Sequence, residues 1–141
     1  MKKLFAMLLT AGALALTACN PTIYSANDTE GKLKGKGYTV EVLSYEVAKV
    51  RIQNLNYDTA AFNNAVYATK GADADKDLLL AFYFSSVDDA SKFMNDHEHD
   101  NLALLNRYGE NNVGSNLTLR VGTHNNVAYV GTETSFTAAF Q

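Results

Sequence analysis

The stretch from Asp77 to Ser85, DLLLAFYFS, constrains the fold of this chain more than any other segment. Its apolar residues do not alternate with polar ones, so a strand built from it is apolar on both faces. Strands of that kind lie in the interior of a sheet rather than at its edge. We therefore predict a central strand here, inside a single domain of the size that 141 residues suggest.

Shorter patterns on the N-terminal side of this strand predict the elements that precede it. Tyr38–Leu43 alternates as a strand does, and Asn63–Lys70 indicates a second strand. Between them, Ser44 is placed to cap a helix that runs to about Leu55. The β-branched residues of this segment make it a weak helix former, although its apolar residues share one face.

The C-terminal half of the chain continues with helices and a hairpin. Ser86-Val87-Asp88-Asp89 resembles a capping box at the start of a helix. The spacing of Leu102, Leu105 and Tyr108 predicts a further helical piece that ends at Gly109. The remaining predicted elements are a hairpin of Leu117–Val121 and Val127–Val130 and a short terminal helix carrying Phe136 and Phe140.

Two segments of the chain resemble each other and suggest how the elements are arranged. Leu43–Lys49 and Phe84–Lys92 both run from a strand end through a capping serine into a helix. Two strand–helix–strand halves predict an α+β fold with a ferredoxin-like βαββαβ-type antiparallel sheet, extended by a C-terminal strand and a short helix. We expect this single domain to span 38–141, with its helices on one face of the sheet and the other face partly open.

The N-terminus has the composition of an export signal. Met1-Lys2-Lys3 is positively charged, and Leu4–Ala18 is an almost unbroken apolar run. About 20 apolar residues are needed to span a bilayer, so this run is short for a transmembrane helix. A charged start, a short apolar middle and small residues at its end are typical of a signal peptide.

The end of that run carries the only cysteine of the chain. Leu16-Thr17-Ala18-Cys19 resembles the lipobox of bacterial lipoproteins, which implies cleavage just before Cys19 and a diacylated Cys19 that carries fatty acids such as palmitate. Two or more acyl chains hold a protein durably on a membrane. The resemblance implies a lipid-anchored protein of the cell envelope, at the outer membrane where the cell has one, because Asn20 follows the cysteine. The alternative is an ordinary signal peptide 1–18 with an incidental cysteine.

Charge and cysteine content limit what the mature chain can do. Removing residues 1–18 removes Lys2 and Lys3 but no acidic residue, which takes the net charge from −3 to −5. An acidic domain is a poor partner for nucleic acid. Without a second cysteine no disulfide within the chain contributes, so a hydrophobic core must stabilise the fold. Residues 19–37 contain the lysines and glycines of a predicted flexible tether.

A cluster of potential metal ligands lies in Asp96-His97-Glu98-His99-Asp100. His97 and His99 would point to the same side in extended structure and bind zinc or a similar ion. On a helix they would diverge, and their spacing matches no common zinc motif. The alternative is a solvated connection between two helices. The cluster supports a metal- or ligand-sensing module as the second functional hypothesis.

No arrangement of residues typical of an enzyme is visible. The only thiol is the predicted lipidation site, and no serine lies in a Gly-x-Ser-x-Gly motif. A hydrolase of unknown class therefore comes third, and we expect neither catalysis nor a cofactor.

The sheet itself offers a candidate binding surface. By alternation, Tyr67, Tyr83 and Tyr129 are predicted to project from the open face of the sheet, with Arg120 nearby. A row of tyrosines supplies flat, amphipathic area that suits a sugar, a peptide or a partner protein. The alternative is that they are ordinary half-buried strand residues. The leading hypothesis is thus a lipid-anchored protein that acts by binding or structural association in the envelope.

Overall fold

The computed structural model of the protein describes residues 20–58, 60–95 and 100–141. Within these ranges five helices and five strands follow one another along the chain. They are α1 (Ala26–Gly35), β1 (Thr39–Ser44), α2 (Tyr45–Arg51), β2 (Asn64–Lys70), β3 (Asp77–Tyr83), α3 (Val87–Met94), α4 (Asn101–Asn112), β4 (Leu119–His124), β5 (Val127–Thr132) and α5 (Glu133–Phe140). A 3₁₀ turn, Asp73–Asp75, precedes β3.

The strands form one sheet in the order β1-β2-β3-β5-β4, and every neighbouring pair is antiparallel. The α+β class, the antiparallel sheet and the succession of elements predicted from β1 onward are confirmed. β3 occupies the centre and is buried along its whole length, as its apolar sequence requires. β1 and β2 are antiparallel neighbours in the sheet. The segment between them, which contains α2 and a loop, therefore reverses the direction of the chain.

Helices cover both faces of the sheet, which corrects the prediction that one face is partly open. On one face, Phe82 packs in a core that also contains Ala48 of α2, Phe93 of α3 and Leu105 of α4. On the other face, the core contains Leu33 of α1 and Phe136 of α5, together with alternate residues of the central strands. Two apolar faces on β3 therefore correspond to two separate cores.

The predicted flexible tether is wrong for most of its length, because α1 lies inside it. Ser25 caps this helix: its hydroxyl accepts a hydrogen bond from the Asp28 amide at 3.2 Å and donates one to the Asp28 carboxylate at 2.7 Å. Ala26, Thr29 and Leu33 are buried at helical spacing against the sheet. The folded part of the chain thus begins before residue 38, and the burial of this stripe offsets the low helix propensity of Gly31.

Most of the other predicted elements begin and end close to the expected positions. Ser44 and Ser86 cap α2 and α3 as predicted, each accepting a hydrogen bond from the amide three residues on. α2 ends at Arg51 rather than near Leu55, and the chain turns at Asn54, whose φ is 73°. The hairpin of β4 and β5 and the docked terminal helix α5 are confirmed.

A buried carboxylate fixes both α1 and α5 to the sheet. Asp77, at the start of β3, accepts a hydrogen bond from the Tyr38 hydroxyl at 2.5 Å and another from the Thr132 hydroxyl. Tyr38 follows α1, and Thr132 is the cap of α5. One side chain therefore fixes the loop after α1 and the start of α5 to the central strand.

Candidate functional site

The predicted tyrosine platform does not exist as an exposed surface. Tyr83 and Tyr129 share one face of the sheet, but both are buried there beneath α1 and α5. The Tyr83 hydroxyl donates a hydrogen bond to the Thr29 hydroxyl of α1 at 2.6 Å. Tyr67 lies on the opposite face, half-buried against the other core. The prediction is wrong because it assumed an open face, which α1 covers together with α5.

Arg120 does lie beside Tyr129, as predicted, but its guanidinium group is held by internal partners. Its Nε donates a hydrogen bond to the Tyr129 hydroxyl at 2.8 Å, and its Nη1 donates to both carboxylate oxygens of Glu133 at 2.8 and 3.0 Å. The guanidinium carbon lies 3.8 Å from the centre of the Phe136 ring. These contacts fasten β4 to α5, so Arg120 has a structural role in the fold.

The predicted metal ligands His97 and His99 lie outside the described residues, and metal binding there stays a prediction. Within residues 20–58, 60–95 and 100–141, no group of three or more His, Cys, Asp or Glu side chains is arranged to hold a metal ion. Cys19 and the predicted signal peptide 1–18 also lie outside the described residues. None of the helices described is long and apolar enough to cross a membrane.

The structure brings together a set of residues that sequence reasoning missed, where the N-terminal segment joins the domain. The backbone N–H of Tyr24 donates to the side-chain oxygen of Asn126 at 2.7 Å. The Asn126 amide group donates in return to the Tyr24 carbonyl at 2.9 Å and to the Phe84 carbonyl at 2.8 Å. A buried side-chain amide thus pairs with both backbone groups of Tyr24, as a neighbouring strand would.

The side chain of Tyr24 is held as firmly as its backbone. Its ring packs against His124 and Phe140, with centroids 5.1 and 5.3 Å away. Its hydroxyl lies 3.1 Å from Nε2 of His124, within hydrogen-bonding distance. We call this set, Tyr24, His124, Asn126 and Phe140, the Tyr24 junction. It fixes the N-terminal segment to the hairpin and to α5 before α1 begins.

The electrostatics of the Tyr24 junction favour an uncharged imidazole. Burial lowers the pKa of His124 below its ordinary value, and the positive charge of Arg120 lowers it further. The His124 ring also packs edge-on against Phe136 and at a tilt against Phe140, with ring centroids 5.2 and 5.3 Å away. Protonation would place a second cation beside Arg120 in an aromatic cluster, so the neutral form stabilises the junction.

The sequence carries a signal for α1, the helix that follows Tyr24. Ser25-Ala26-Asn27-Asp28 has the same serine-to-aspartate spacing as Ser86-Val87-Asp88-Asp89, which was interpreted as a helix start. It predicts a helix whose capping residue, Ser25, lies six residues after Cys19. No comparable signal marks Asn126, because a hairpin tip rich in asparagine looks the same whether its side chains are solvated or buried.

Two recesses on the α1 side of the sheet are large enough to be considered as binding sites. One is an open groove of about 630 Å³ between α1 and α5, which we call the α1–α5 groove. Lys32 and Lys36 line one side, while Glu133, Thr137 and Gln141 contribute to the other. The second recess, of about 290 Å³, lies beside the Tyr24 junction and is lined by Ile23–Asn27, 63–64 and 83–85.

Comparisons of the chain with protein-family models, with curated proteins and with solved structures found no match.

Proposed function

We propose that this chain is an exported bacterial lipoprotein, acylated at Cys19, whose domain binds a partner at the cell envelope. The observation that carries the proposal is the lipobox-like Leu16-Thr17-Ala18-Cys19 behind a charged start and a short apolar run. The cysteine is the only one in the chain, and it lies at the position that acylation requires. Its role is to hold the domain at a membrane surface outside the cytoplasm.

The α1–α5 groove supports binding as the activity of the anchored domain. Lys32 and Lys36 are exposed on one wall, and the other carries the Thr137 hydroxyl and the Glu133 carboxylate, which is paired with Arg120. Two ammonium groups beside hydrogen-bonding side chains suit a partner segment or small ligand that carries carboxylates. We propose that this groove is the binding surface, in place of the buried sheet face that carries Tyr83 and Tyr129. A protein, a peptide or an acidic sugar of the envelope would each supply such groups.

Metabolic labelling with radioactive palmitate tests the anchor. We expect label on the full-length protein in the membrane fraction and none on the Cys19→Ala variant. Ser25→Ala is the matched control, since it changes a nearby residue and leaves the cysteine in place. Labelling that survives Cys19→Ala contradicts the proposal at its base.

Crosslinking of the native protein in its envelope tests the groove. We expect a specific adduct with the unaltered protein, and its loss when Lys32 and Lys36 are both changed to glutamate. Lys92→Glu is the control, because Lys92 is an exposed lysine on α3, across the sheet from the groove. Equal capture by the two variants would remove the groove as the binding surface.

A further inference from the structure

The covalent distance between the proposed anchor and the domain is short. Tyr24 is fixed through both of its backbone groups, so the free part of the chain comprises only residues 20–23. Five Cα-to-Cα steps separate Cys19 from Tyr24, and five residues span at most about 17 Å when fully extended. A six-residue strand such as β5 is itself about 20 Å long, so this reach is less than the length of the sheet.

The position of Tyr24 determines which end of the domain this short segment leaves. Asn126 lies in the turn between β4 and β5, next to the ends of β3 and β4 and the start of β2. We call this the junction end of the sheet. Lys36, Lys70 and the 3₁₀ turn Asp73–Asp75 lie at the opposite end, beyond the start of β3. A membrane attached through Cys19 therefore lies closest to the junction end.

The surface at the junction end has the composition that contact with a bilayer requires. The recess beside Tyr24 is lined by apolar, hydroxyl and amide side chains, and none of its residues carries a charge. Ile23 is 55% exposed, although it is a large apolar residue, and it lies directly on the segment that leads to the anchor. Exposed Asn63 and Ser85, whose side chains hydrogen-bond to each other, add an uncharged polar surface that is compatible with lipid headgroups.

We infer that the junction end of the domain rests on the phospholipid surface, with Ile23 entering the headgroup region and the Lys36 end of the α1–α5 groove directed away from the bilayer. The inference rests on the proposed acylation of Cys19. A single isoleucine binds a bilayer weakly by itself, but the acyl anchor keeps Ile23 within about 14 Å of Cys19 and supplies a high effective concentration. Asp28 and Asp88, in the first turns of α1 and α3, flank this end, so zwitterionic lipid suits it better than anionic lipid.

The absence of any other cysteine in the sequence allows this orientation to be measured with single labels. Ser85→Cys places a thiol at the junction end, and Ala72→Cys places one at the opposite end; both positions are exposed. The lipidated protein, carrying a fluorophore at either site, is reconstituted into phosphatidylcholine vesicles that contain a headgroup spin-labelled lipid. We expect several-fold stronger quenching at position 85 than at position 72.

Two further variants make the result specific. Inserting a long Gly/Ser linker after Asn20 frees the domain to tumble, and it should remove the difference between the two labels. Ile23→Ser should weaken the quenching at position 85, and this exposed side chain can be replaced without affecting the core. Phosphatidylglycerol vesicles should also reduce the quenching at position 85.

The outcomes separate this inference from the proposed function. Protein that sediments with the vesicles but is quenched equally at positions 72 and 85 contradicts the orientation and leaves the lipid anchor intact. Protein that stays in the supernatant, as the Cys19→Ala control does, contradicts both. Stronger quenching at position 72 would show that the opposite end faces the bilayer instead, and it would overturn the inference.

Discussion

At the scale of single residues, two buried asparagines hydrogen-bond to the backbone of neighbouring segments as an adjacent strand would. Asn126 pairs with both backbone groups of Tyr24, and Asn101 pairs with the N–H and C=O of Asn56 at 2.8 Å each. The Asn101 amide also donates to the Phe93 carbonyl. A side-chain amide has the same donor and acceptor as a peptide group, so it can fix a segment that has no secondary structure of its own.

We expect Asn126→Ala to destabilise the protein by about 2–3 kcal/mol, because it leaves backbone groups of Tyr24 and Phe84 without their partners. Urea denaturation measures the loss, and hydrogen exchange at the Tyr24 amide should become faster. Asn111→Ala, on the exposed surface of α4, is the matched control and should change stability by less than about 0.5 kcal/mol. Equal stability of the two variants would show that the Tyr24 junction contributes little to folding.

At the scale of elements, two glycines within helices have opposite surroundings. A Cβ at Gly31 of α1 would meet no atom within 4 Å. A Cβ at Gly109 of α4 would lie 2.5 Å from Leu119 Cδ1 and 2.6 Å from Val130 Cγ2, because α4 packs closely on β4 and β5 there. The same residue type therefore weakens one helix and permits the packing of the other.

We expect Gly31→Ala to stabilise the protein by about 0.5–1 kcal/mol, since alanine has the higher helix propensity and no neighbour is displaced. Gly109→Ala should destabilise it by about 1–3 kcal/mol through overpacking against the sheet. Thermal unfolding of both variants checks the pair. Unchanged or lowered stability of Gly31→Ala would contradict the expectation that residue 31 lies in an exposed part of a stable helix.

The helices also show where element prediction from sequence succeeds and where it fails. The sequence predicts α3 because the capping pair Ser86 and Asp89 lies at the start of a continuous apolar stripe. α1 was missed although Ser25 and Asp28 have the same spacing, because the glycines and lysines that follow leave few apolar residues to define a period. Leu33 is fully buried, but one leucine in a polar segment is not distinguishable from an exposed one without the sheet beneath it.

At the scale of the whole molecule, tyrosines in both cores make the stability of the protein depend on pH. Burial, with a smaller contribution from the nearby Tyr67, raises the pKa of Tyr108 to about 12. Burial also raises the pKa values of Tyr38, Tyr57 and Tyr83 above that of an exposed tyrosine. These hydroxyls therefore remain protonated in the folded protein at a pH at which they ionise in the unfolded chain.

We expect the free energy of unfolding to fall as the pH rises above about 10, the tyrosine pKa of the unfolded chain. The sign follows from linkage: above that pH the folded state binds more protons than the unfolded state, so the stabilisation present below it is progressively lost. Urea midpoints at about pH 8 and about pH 11 measure the change. Tyr108→Phe should reduce it, and identical midpoints would contradict the raised pKa values.

Residues that are neighbours along the chain are enough to predict the α+β class, the central strand and most caps, because each of these depends on local pattern; the anchor at Cys19 stays a prediction. Only the tertiary structure decided that both sheet faces are covered, that Tyr83 and Tyr129 are buried, and that Asn126 holds Tyr24. These features depend on contacts between residues far apart in sequence, such as the 102 positions that separate Tyr24 from Asn126. Local periodicity carries no information on such pairings. Because the sequence pattern does not reveal α1, it also does not reveal that the sheet face beneath α1 is buried.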